Sequence, residues 1–484
     1  MTDHIWDAAI IGAGYGGVGM GAQLARHGID DYVVFERGDR VGGVWRENIY
    51  PGAACDTQSH IYCYSFFLNL RVSRMFAGRD ELIDYLEALV DEFDVRRHIR
   101  FNTSVTSAVW NDAEAHWRLT SSDGSTTRAR VLVPAWGQLS VPSIPDLPGR
   151  SDFRGKIFHS ARWDYDVDLV DQRVASIGAA ASAVQYVPEI APVVRELQVF
   201  QRSANYILPR NQIIFTPTQL DEFASTPALF EQSRAEIHAF REASFQRARL
   251  DTSEHRAAAR EAREHLENQV SDPELRRKLT PDYEYGCKRI LRSDDYYPAL
   301  TRPNVEVITE RIEQITPTGI RTADGADRDV DVIIFGTGFR SQAFHNALEI
   351  VGRHGRTLDE RWGDSPEAYL GMSVDGFPNM FMIYGPNTNL NHNSIVTMME
   401  AQQKYIVQAI ELIHDGMPRL DVKESVLREF NAVLQSDLSS TAYSSDCSSW
   451  YKNAAGRVIN NWSGTVEEYE KLTQNADLSD FTRV

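Results

Sequence analysis

The chain has 484 residues, 42% hydrophobic and 24% charged, an ordinary balance for a globular protein with more than one core. Its formal net charge of −18 disfavours nucleic acid and anionic membrane surfaces as partners, because both would repel it. No apolar run reaches the roughly 18 residues of a membrane span, and we expect no secretory signal. The four cysteines form no C-x-x-C pair, which argues against a zinc site and a redox disulfide, so we expect a cytoplasmic location.

The first feature in chain order is a strand–turn–helix–strand unit. Its predicted elements are a strand over residues 6–11, a helix ending near residue 26 and a strand over residues 32–35. The turn reads G-x-G-x-x-G, with glycines that permit a tight turn, close approach of a pyrophosphate and close helix packing: Gly12, Gly14 and Gly17. Glu36 follows the second strand and can accept hydrogen bonds from ribose hydroxyls, but it would repel a 2′-phosphate. The unit is therefore predicted to hold FAD, or alternatively NAD, and not NADP.

A second unit of the same kind is predicted further along. Its elements are a strand over residues 174–177, a helix ending near residue 190 and a strand over residues 197–200. The turn between strand and helix runs from Gly178 through Ser182, and Arg202 follows the second strand. A cation at this position suits the 2′-phosphate of NADP, although Arg202 could also be a solvated surface charge. Ala180 replaces the middle glycine, and its methyl group is expected to weaken the binding of the dinucleotide or to shift its position.

The remaining chain predicts further elements. A strand over residues 131–135 precedes a proline-rich crossover, and an Ala-, Glu- and Arg-rich stretch at about residues 219–280 predicts helices inserted into the second unit. A strand over residues 330–335 is similar to the segment in two-dinucleotide flavoproteins where the chain returns to the first domain. Residues 396–415 predict an amphipathic helix.

Two longer motifs narrow the chemistry. One is F-x-G-x-x-x-H-x-x-x-W-D, from Phe153 to Asp164, and the other is G-G-x-W-x4-Y-P-G-x3-D, from Gly42 to Asp56. Both resemble fingerprints of the Baeyer–Villiger monooxygenases, class B flavoproteins that insert one oxygen atom next to a ketone. Heteroatom-oxidising flavin enzymes share the Phe, Gly and His of the first motif, but typically carry an aromatic-basic pair in place of its final Trp-Asp. His159 has either a functional role or a purely structural one, in which it holds an interdomain linker in place.

The resemblance implies an α/β protein with two Rossmann-like dinucleotide-binding domains, in which the NADPH domain is inserted into a split FAD domain. The predicted division is residues 1–150 for the first part of the FAD domain, 151–329 for the NADPH domain with its helical insertion at about 219–280, and 330–484 for the completion of the FAD domain and a C-terminal segment. The implied enzyme consumes NADPH and O2 and converts a small-molecule ketone into an ester or lactone via a peroxyflavin. The particular ketone and the oligomeric state stay open.

The residues predicted to bind the cofactors are Gly12, Gly14, Gly17, Glu36, Gly43, Trp45, Asp56, Gly178, Ser182, Arg202, Lys288 and Trp450. The resemblance makes Arg289 and Asp56 the catalytic pair, because a permanently charged guanidinium can stabilise an anionic peroxide and a later oxyanion while the acid fixes its position. The alternative for this pair is a structural interdomain salt bridge. Lys288 resembles a second cation on the 2′-phosphate, and Trp450 resembles a Trp that reaches the nicotinamide ribose and substrate. No metal site is predicted.

Two other functions remain open at this point. A heteroatom oxygenase on the same scaffold would make sulfoxides or N-oxides; Asp56, Arg289 and the Trp-Asp pair disfavour it, since such substrates do not need an arginine-stabilised anion. A flavin-binding protein that has lost NADPH turnover would serve assembly or regulation. Ala180 favours that alternative, while Arg202 and Lys288 disfavour it.

Overall fold

A computed structural model describes residues 4–340 and 348–482. The strands are β1 (Ile5–Ile11), β2 (Tyr32–Phe35), β3 (Ile99–Arg100), β4 (Val105–Asn111), β5 (His116–Ser121), β6 (Thr126–Pro134), β7 (Lys156–His159), β8 (Arg173–Ile177), β9 (Glu196–Phe200), β10 (Ile207–Leu208), β11 (Leu291–Arg292), β12 (Val305–Ile308), β13 (Ile312–Thr316), β14 (Gly319–Thr322), β15 (Asp327–Asp329), β16 (Val332–Phe335), β17 (Glu349–Val351), β18 (Asp421–Val422) and β19 (Phe481–Thr482).

The α-helices of this part are α1 (Tyr15–Arg26), α2 (Val44–Glu47), α3 (Arg79–Glu92), α4 (Ala181–Ile190), α5 (Pro217–Ser225), α6 (Pro227–Ala243), α7 (Ser253–Gln269), α8 (Pro273–Leu279), α9 (Tyr296–Leu300), α10 (Leu358–Trp362), α11 (Ile395–His414), α12 (Glu424–Leu438) and α13 (Val466–Leu472). None of the helices in residues 4–340 and 348–482 combines the length and apolar character needed to cross a membrane.

The first sheet has the strand order β17-β4-β5-β6-β1-β2-β3. β1 pairs in parallel with β2 and β6, whereas β5 pairs antiparallel with β4 and β6. Ala8, Ala9 and Ile10 of β1 are fully buried, since side chains on both faces meet other layers. One of these faces packs on the core around α1, α3 and α11.

The second sheet has the strand order β12-β9-β8-β16-β7, and all of its pairs are parallel. Alternate residues of its strands enter different cores: Val174 packs with α4 and α9, whereas Ala175 packs on the opposite face. A parallel sheet covered on both faces is the arrangement expected for a dinucleotide-binding domain. The predicted strand–turn–helix–strand units are thus confirmed in both sheets.

β16 lies inside the second sheet, between β7 and β8. The sheet therefore extends to Phe335, past the predicted division at residue 330. That division stays a prediction, and the strand pairing favours a return of the chain to the first sheet just after Phe335.

The helices predicted at about residues 219–280 are present as α5 to α8, which lie between the paired short strands β10 and β11. These helices begin where the sequence supplies caps: Thr216 forms a capping box with Gln219, and the Asp272 side chain accepts from the amides of Glu274 and Leu275. The predicted amphipathic helix over residues 396–415 is confirmed as α11. The insertion brings α6 beside the segment from Cys55 to Cys63, which carries Asp56.

Candidate active site

One cavity of about 1290 Å³ lies where the carboxyl ends of the two sheets meet. Gly12 follows β1, Gly178 follows β8 and Gly336 follows β16, and all three line it. Ligands of open α/β sheets bind at this edge, because the strand-to-helix turns expose their backbone amides there. The cavity brings together all but one of the residues predicted to bind cofactors or to act in catalysis.

The first cradle is the turn between β1 and α1. Gly12 has φ +103°, which an L side chain rarely adopts, and a β-carbon there would lie 2.7 Å from the Ala135 carbonyl oxygen. Gly14 is the N-cap of α1, and Gly43 approaches it closely from the start of α2. Gly17 is the predicted residue that does not line the cavity: it is buried against Gly12, where a β-carbon would lie 1.8 Å from the Gly12 carbonyl oxygen. This contact accounts for the glycine through close packing of helix and strand.

Glu36 lines the cavity at the end of β2 with a side chain only 5% exposed. Its Oε2 accepts from the Ala13 amide at 2.8 Å, and its Oε1 accepts from the Gly38 amide and from Arg46 Nη1, both at 2.7 Å. A carboxylate offers about four acceptor sites, so room remains for one further donor such as a ribose hydroxyl. Arg46, which no motif marked, thus keeps this buried charge paired.

The second cradle is the turn between β8 and α4. Gly178 has φ +108°, close to that of Gly12, and Ala180 is the N-cap of α4. Ala180 has φ −91° and ψ −161°, so its methyl group causes no backbone strain. Ser182 lines the cavity in the first turn of the helix. Ala183, at the last position of the turn motif, is fully buried.

Arg202 and Lys288 lie together at the rim of the second cradle. Lys288 Nζ donates to Ser203 Oγ at 2.7 Å and lies 4.3 Å from the centre of the Tyr283 ring. Burial lowers the pKa of Lys288, and the positive charge of Arg202 lowers it further. Within residues 4–340 and 348–482, neither cation has a carboxylate within 4.0 Å. Asp282 acts on Lys288 only from a greater distance. Two adjacent cations with no acid in direct contact form a site suited to a phosphate.

Arg289 and Asp56 form an ion pair across 233 residues of sequence. Arg289 Nη2 donates to Asp56 Oδ2 at 2.7 Å and to Oδ1 at 2.8 Å, and Nε donates to Oδ2 at 3.2 Å. Their side chains are 32% and 27% exposed, and both line the cavity. The Asp56 carboxylate raises the pKa of Arg289 despite burial. Burial opposes ionisation of Asp56, but the Arg289 charge outweighs it and lowers the pKa of Asp56.

Aromatic and amide side chains also line the cavity beside this pair. They are those of Tyr62, Tyr384, Asn389 and Trp450. Trp45 Nε1 donates to the Tyr62 hydroxyl at 3.3 Å. The Tyr384 hydroxyl donates to Asn389 Oδ1 at 2.7 Å. Tyr384 has φ +62°, a left-handed conformation that is strained for an aromatic residue and typical of functional sites. No sequence pattern marked Tyr384 except the Gly385-Pro386 turn that follows it.

Cys287 and Cys447 form a disulfide between segments 160 residues apart. The bond joins two distant loops and is not the C-x-x-C redox pair that the sequence argued against; no sequence pattern predicted it. Cys287 immediately precedes Lys288, and Cys447 lies three residues before Trp450. Cys55 and Cys63 are free and buried. The bond fastens the segment that carries Trp450 to the one that carries Arg289.

The residues of the first long motif lie outside this cavity. His159 ends β7, and its Nδ1 accepts from the Ala161 amide at 3.0 Å. Burial lowers the pKa of His159 to about 4, so the ring is neutral near pH 7. Trp163 packs against Phe158 and Tyr186, and thereby joins the crossover to α4. These contacts favour the structural interpretation of the motif.

In the described part of the chain, one group has metal-ligand character: His238, Glu242 and Glu467, whose ligand atoms lie within 4.8 Å of one another. The oxygens of Glu242 accept from the amides of Val466 and Glu467 and from Asn393 Nδ2. The carboxylate therefore caps the N-terminus of α13 and carries no argument for a metal.

Comparison with known proteins agrees with this geometry. Residues 9–225 match the family described as "Pyridine nucleotide-disulphide oxidoreductase". A Baeyer–Villiger monooxygenase of Streptomyces coelicolor is 40% identical over 484 residues, covering 99% of this chain and 93% of the relative. A steroid monooxygenase structure with NADP bound aligns with a TM-score of 0.88 at 31% identity, covering 99% of this chain and 100% of that one. The complex of OTEMO with FAD and NADP aligns with a TM-score of 0.89 at 27% identity, covering 99% of both chains.

Two dinucleotide cradles that open into one cavity, together with an arginine–carboxylate pair in that cavity, define a two-dinucleotide flavoprotein oxidoreductase. The identity over nearly the whole chain gives the family: this chain belongs to the Baeyer–Villiger monooxygenases. It is therefore a flavin-dependent monooxygenase, and the predictions of family, fold class and enzyme class are confirmed.

Proposed function

We propose that this chain uses NADPH and O2 to insert one oxygen atom next to the carbonyl of a small-molecule ketone. The overall reaction is ketone, O2, NADPH and H⁺ to ester or lactone, NADP⁺ and water. The observation that carries the proposal is the Arg289–Asp56 ion pair in the cavity shared by both cradles.

FAD is proposed for the first cradle, and the residues there fit it. Gly12 and Gly14 leave the backbone open to a pyrophosphate at the start of α1, and Glu36 retains an acceptor site for a ribose hydroxyl. Gly43 and Trp45 line the same side of the cavity. When bound, FAD supplies the activation of O2 with electrons taken from NADPH.

NADPH is proposed for the second cradle. The start of α4 at Gly178 and Ser182 would receive the pyrophosphate, and Arg202 with Lys288 would hold the 2′-phosphate. Glu36 and Arg202 follow equivalent strands of the two units and have opposite charges, which supports this assignment of the two nucleotides. Trp450 lines the cavity and is proposed to contact the nicotinamide half.

Arg289 is proposed to face the reacting carbonyl. Its guanidinium stays positively charged at every relevant pH, so it stabilises negative charge as this develops on the carbonyl oxygen during addition. Asp56 binds two of its nitrogens and so fixes the direction of the remaining N–H groups. The same pair disfavours the heteroatom oxygenase, because a sulfide or amine develops no oxyanion that needs a cation.

The division into a split FAD domain and an inserted NADPH domain, with its boundary moved to just after Phe335, is part of this proposal. So is a cytoplasmic location, where cells maintain NADPH. Thiol reductants of that compartment would act on the Cys287–Cys447 bond.

Product analysis tests the function. Purified protein with NADPH is offered a panel of ketones and a matched panel of sulfides under ¹⁸O2, and products are identified by mass spectrometry. Esters or lactones carrying one labelled oxygen are expected. Sulfoxides without any ester from the whole ketone panel would support the heteroatom alternative and contradict the proposal.

A further inference from the structure

Two further guanidinium groups line the cavity beside the Arg289–Asp56 pair, and no sequence motif marked them. Arg241 projects from α6 of the helical insertion and is 6% exposed; Arg292 ends β11. Burial, and then the positive charge of Arg292, lower the pKa of Arg241 to about 9. Both charges also act on Asp56. The four side chains therefore form one electrostatic cluster.

In the described part of the chain, the side-chain hydrogen bonds of the two additional arginines all go to neutral acceptors. Arg241 donates through Nε, at 2.7 Å, and through Nη2 to the amide oxygen of Gln58. Arg292 donates through Nη1 to the Pro209 carbonyl oxygen at 3.3 Å. Among residues 4–340 and 348–482, neither has a carboxylate within 4.0 Å, and Gln58 and Pro209 are the only hydrogen-bond acceptors that they meet. Since a guanidinium carries five N–H donors, most of these donors are free to bind a ligand.

The acids whose charges act on Arg241 and Arg292 are already paired with other arginines. Asp56 is held by Arg289, and Glu261 is held by Arg247 at 3.0 Å. With a pKa of about 9, Arg241 keeps its charge near pH 7, and buried charges in proteins are normally paired. As a substrate displaces water from the cavity, the two cations need an anion.

The cofactor phosphates have other sites. Both cradles place their pyrophosphate positions at the starts of α1 and α4, and Arg202 with Lys288 forms the 2′-phosphate site. Arg241 and Arg292 instead interact with Asp56, the residue that positions Arg289. We therefore expect the substrate itself to carry the anionic group that pairs with Arg241 and Arg292.

We propose that the preferred substrates are ketones that carry a carboxylate, which Arg241 and Arg292 bind while Arg289 faces the ketone carbonyl. This inference rests on the proposed function, and it names the substrate class. Each guanidinium can give a carboxylate two parallel N–H donors, the geometry that favours carboxylates over neutral polar groups. Charge-assisted contacts of this kind should favour a keto acid over its neutral ester by about 10- to 100-fold.

The first test compares keto acids with their methyl esters. The panel is 3-oxocyclohexanecarboxylate, 3-oxocyclopentaneacetate and the linear series from 4-oxopentanoate to 8-oxononanoate, each paired with its ester, in buffer without phosphate. At least one acid should exceed its ester in kcat/KM by about tenfold or more, mainly through KM. Equal or better turnover of the ester in every pair would overturn the proposal.

The second test measures binding without turnover. Cyclohexanecarboxylate and cyclohexanecarboxamide, which have no ketone, are titrated against the FAD-loaded protein while its flavin absorbance is followed, and each is also tested as a competitive inhibitor. The carboxylate should bind about tenfold or more tightly than the carboxamide. Equal affinities, or equal displacement of the carboxylate by chloride at the same concentration, would overturn the inference.

Variants test whether Arg241 and Arg292 cause the preference for keto acids over their esters. Arg292→Met should remove most of the acid-over-ester preference, and Arg292→Lys should restore part of it, because the charge returns without the planar fork. Arg241→Met should act in the same direction. Arg195→Met, which removes an exposed arginine paired with Asp171 at 2.8 Å, is the matched control and should keep the preference. An equal loss of kcat on acid and ester in Arg292→Met would show that this arginine acts on the reaction, and would overturn its assignment to substrate binding.

Failure of this inference and failure of the proposed function can be distinguished. FAD content and melting temperature identify any variant that does not fold. If Arg241→Met does not fold, the comparison of wild type with Arg292→Met and Arg292→Lys still tests whether the cluster binds the carboxylate. If the methyl esters of the keto acids are oxygenated and the acids are not preferred over them, the inference is overturned and the proposed function stands. If cyclohexanecarboxylate binds in an Arg292-dependent way but no ketone is oxygenated, the carboxylate site stands and the proposed function is overturned.

Discussion

Ala180 and Gly14 occupy equivalent N-cap positions in the two dinucleotide units with nearly the same backbone conformation. Ala180 has φ −91° and ψ −161°, and Gly14 has φ −84° and ψ −167°. Both lie in extended backbone that any residue adopts, so neither position requires glycine for its dihedral angles. The methyl group of Ala180 can then matter only through the ligand that it faces.

Ala180→Gly should lower the KM for NADPH or leave it unchanged, because it can only widen the approach to the pyrophosphate. Gly14→Ala is its counterpart in the first unit. A β-carbon at Gly14 would lie 3.4 Å from Gly43 Cα, an ordinary contact, so a loss of FAD in that variant would come from the ligand. Steady-state kinetics and FAD content check both variants; a raised KM in Ala180→Gly would show that the methyl group packs favourably on NADPH.

Arg202→Ala should weaken NADPH far more than NADH, since only NADPH carries the 2′-phosphate. Loss of one charge-assisted contact costs about 1.5–3 kcal/mol, or roughly 10- to 100-fold in KM. Lys288, which lies beside Arg202, should retain part of the site. Flavin reduction followed by stopped flow with each coenzyme gives the ratio, and an equal loss for both coenzymes would contradict the phosphate assignment.

Glu36→Ala should lower the amount of FAD that stays bound through purification without changing the preference for NADPH over NADH. It removes the acceptor for a ribose hydroxyl and also leaves the amides of Ala13 and Gly38 without their partner. Glu36→Gln keeps an acceptor oxygen but removes the charge that pairs with Arg46, so it should retain more FAD than Glu36→Ala. A changed coenzyme preference with full FAD content would show that the two nucleotides are assigned to the wrong cradles.

Cys447→Ser should destabilise the protein and raise the KM for NADPH. Without the bond, the loop between Cys287 and Cys447 is no longer closed in the unfolded chain, a loss of about 2–4 kcal/mol, and the segment before Trp450 is freed from Lys288 and Arg289. Wild type treated with a thiol reductant should behave in the same way. Thiol titration of the denatured protein should find two groups before reduction, Cys55 and Cys63, and four after it. Four thiols in both samples would contradict the disulfide.

Sequence patterns predicted the fold well wherever a local rule decides the structure. The glycines at Gly12 and Gly178, for example, follow from the turn that each must form. Arg289 and Asp56 are far apart in sequence, so only the family resemblance could pair them before the structure did.

Other parts of the site depend on tertiary contacts that leave no local pattern. Arg241 and Arg292 are ordinary residues of a helix and a short strand until the insertion folds over Asp56. Cys287 and Cys447 meet only because two loops cross the same cavity wall. β16 has the composition of any buried strand, and its sheet is decided by β7 and β8, which no property of residues 330–335 specifies.

Arg289→Ala should separate oxygen consumption from oxygenation. The variant removes the cation that is paired with Asp56 but leaves Gly12, Glu36 and Arg202 in place, so FAD should stay bound and NADPH should still reduce it. Oxygen uptake should continue and appear as hydrogen peroxide, while ester formation should fall by about 10²-fold or more, as expected for the loss of an oxyanion stabiliser. An oxygen electrode, a peroxide assay and product chromatography measure the three quantities in one reaction.

Asp56→Ala provides the matched comparison, because it keeps the guanidinium and removes only the carboxylate that holds it through Nε and Nη2. Ester formation should fall in the same direction but less completely than in Arg289→Ala, with peroxide release rising by a corresponding fraction. A purely structural salt bridge would instead make both variants lose FAD and melting temperature together, with the remaining folded protein coupling oxygen to ester formation normally. Near-normal ketone oxygenation by Arg289→Ala would therefore remove the main chemical support for the proposed function.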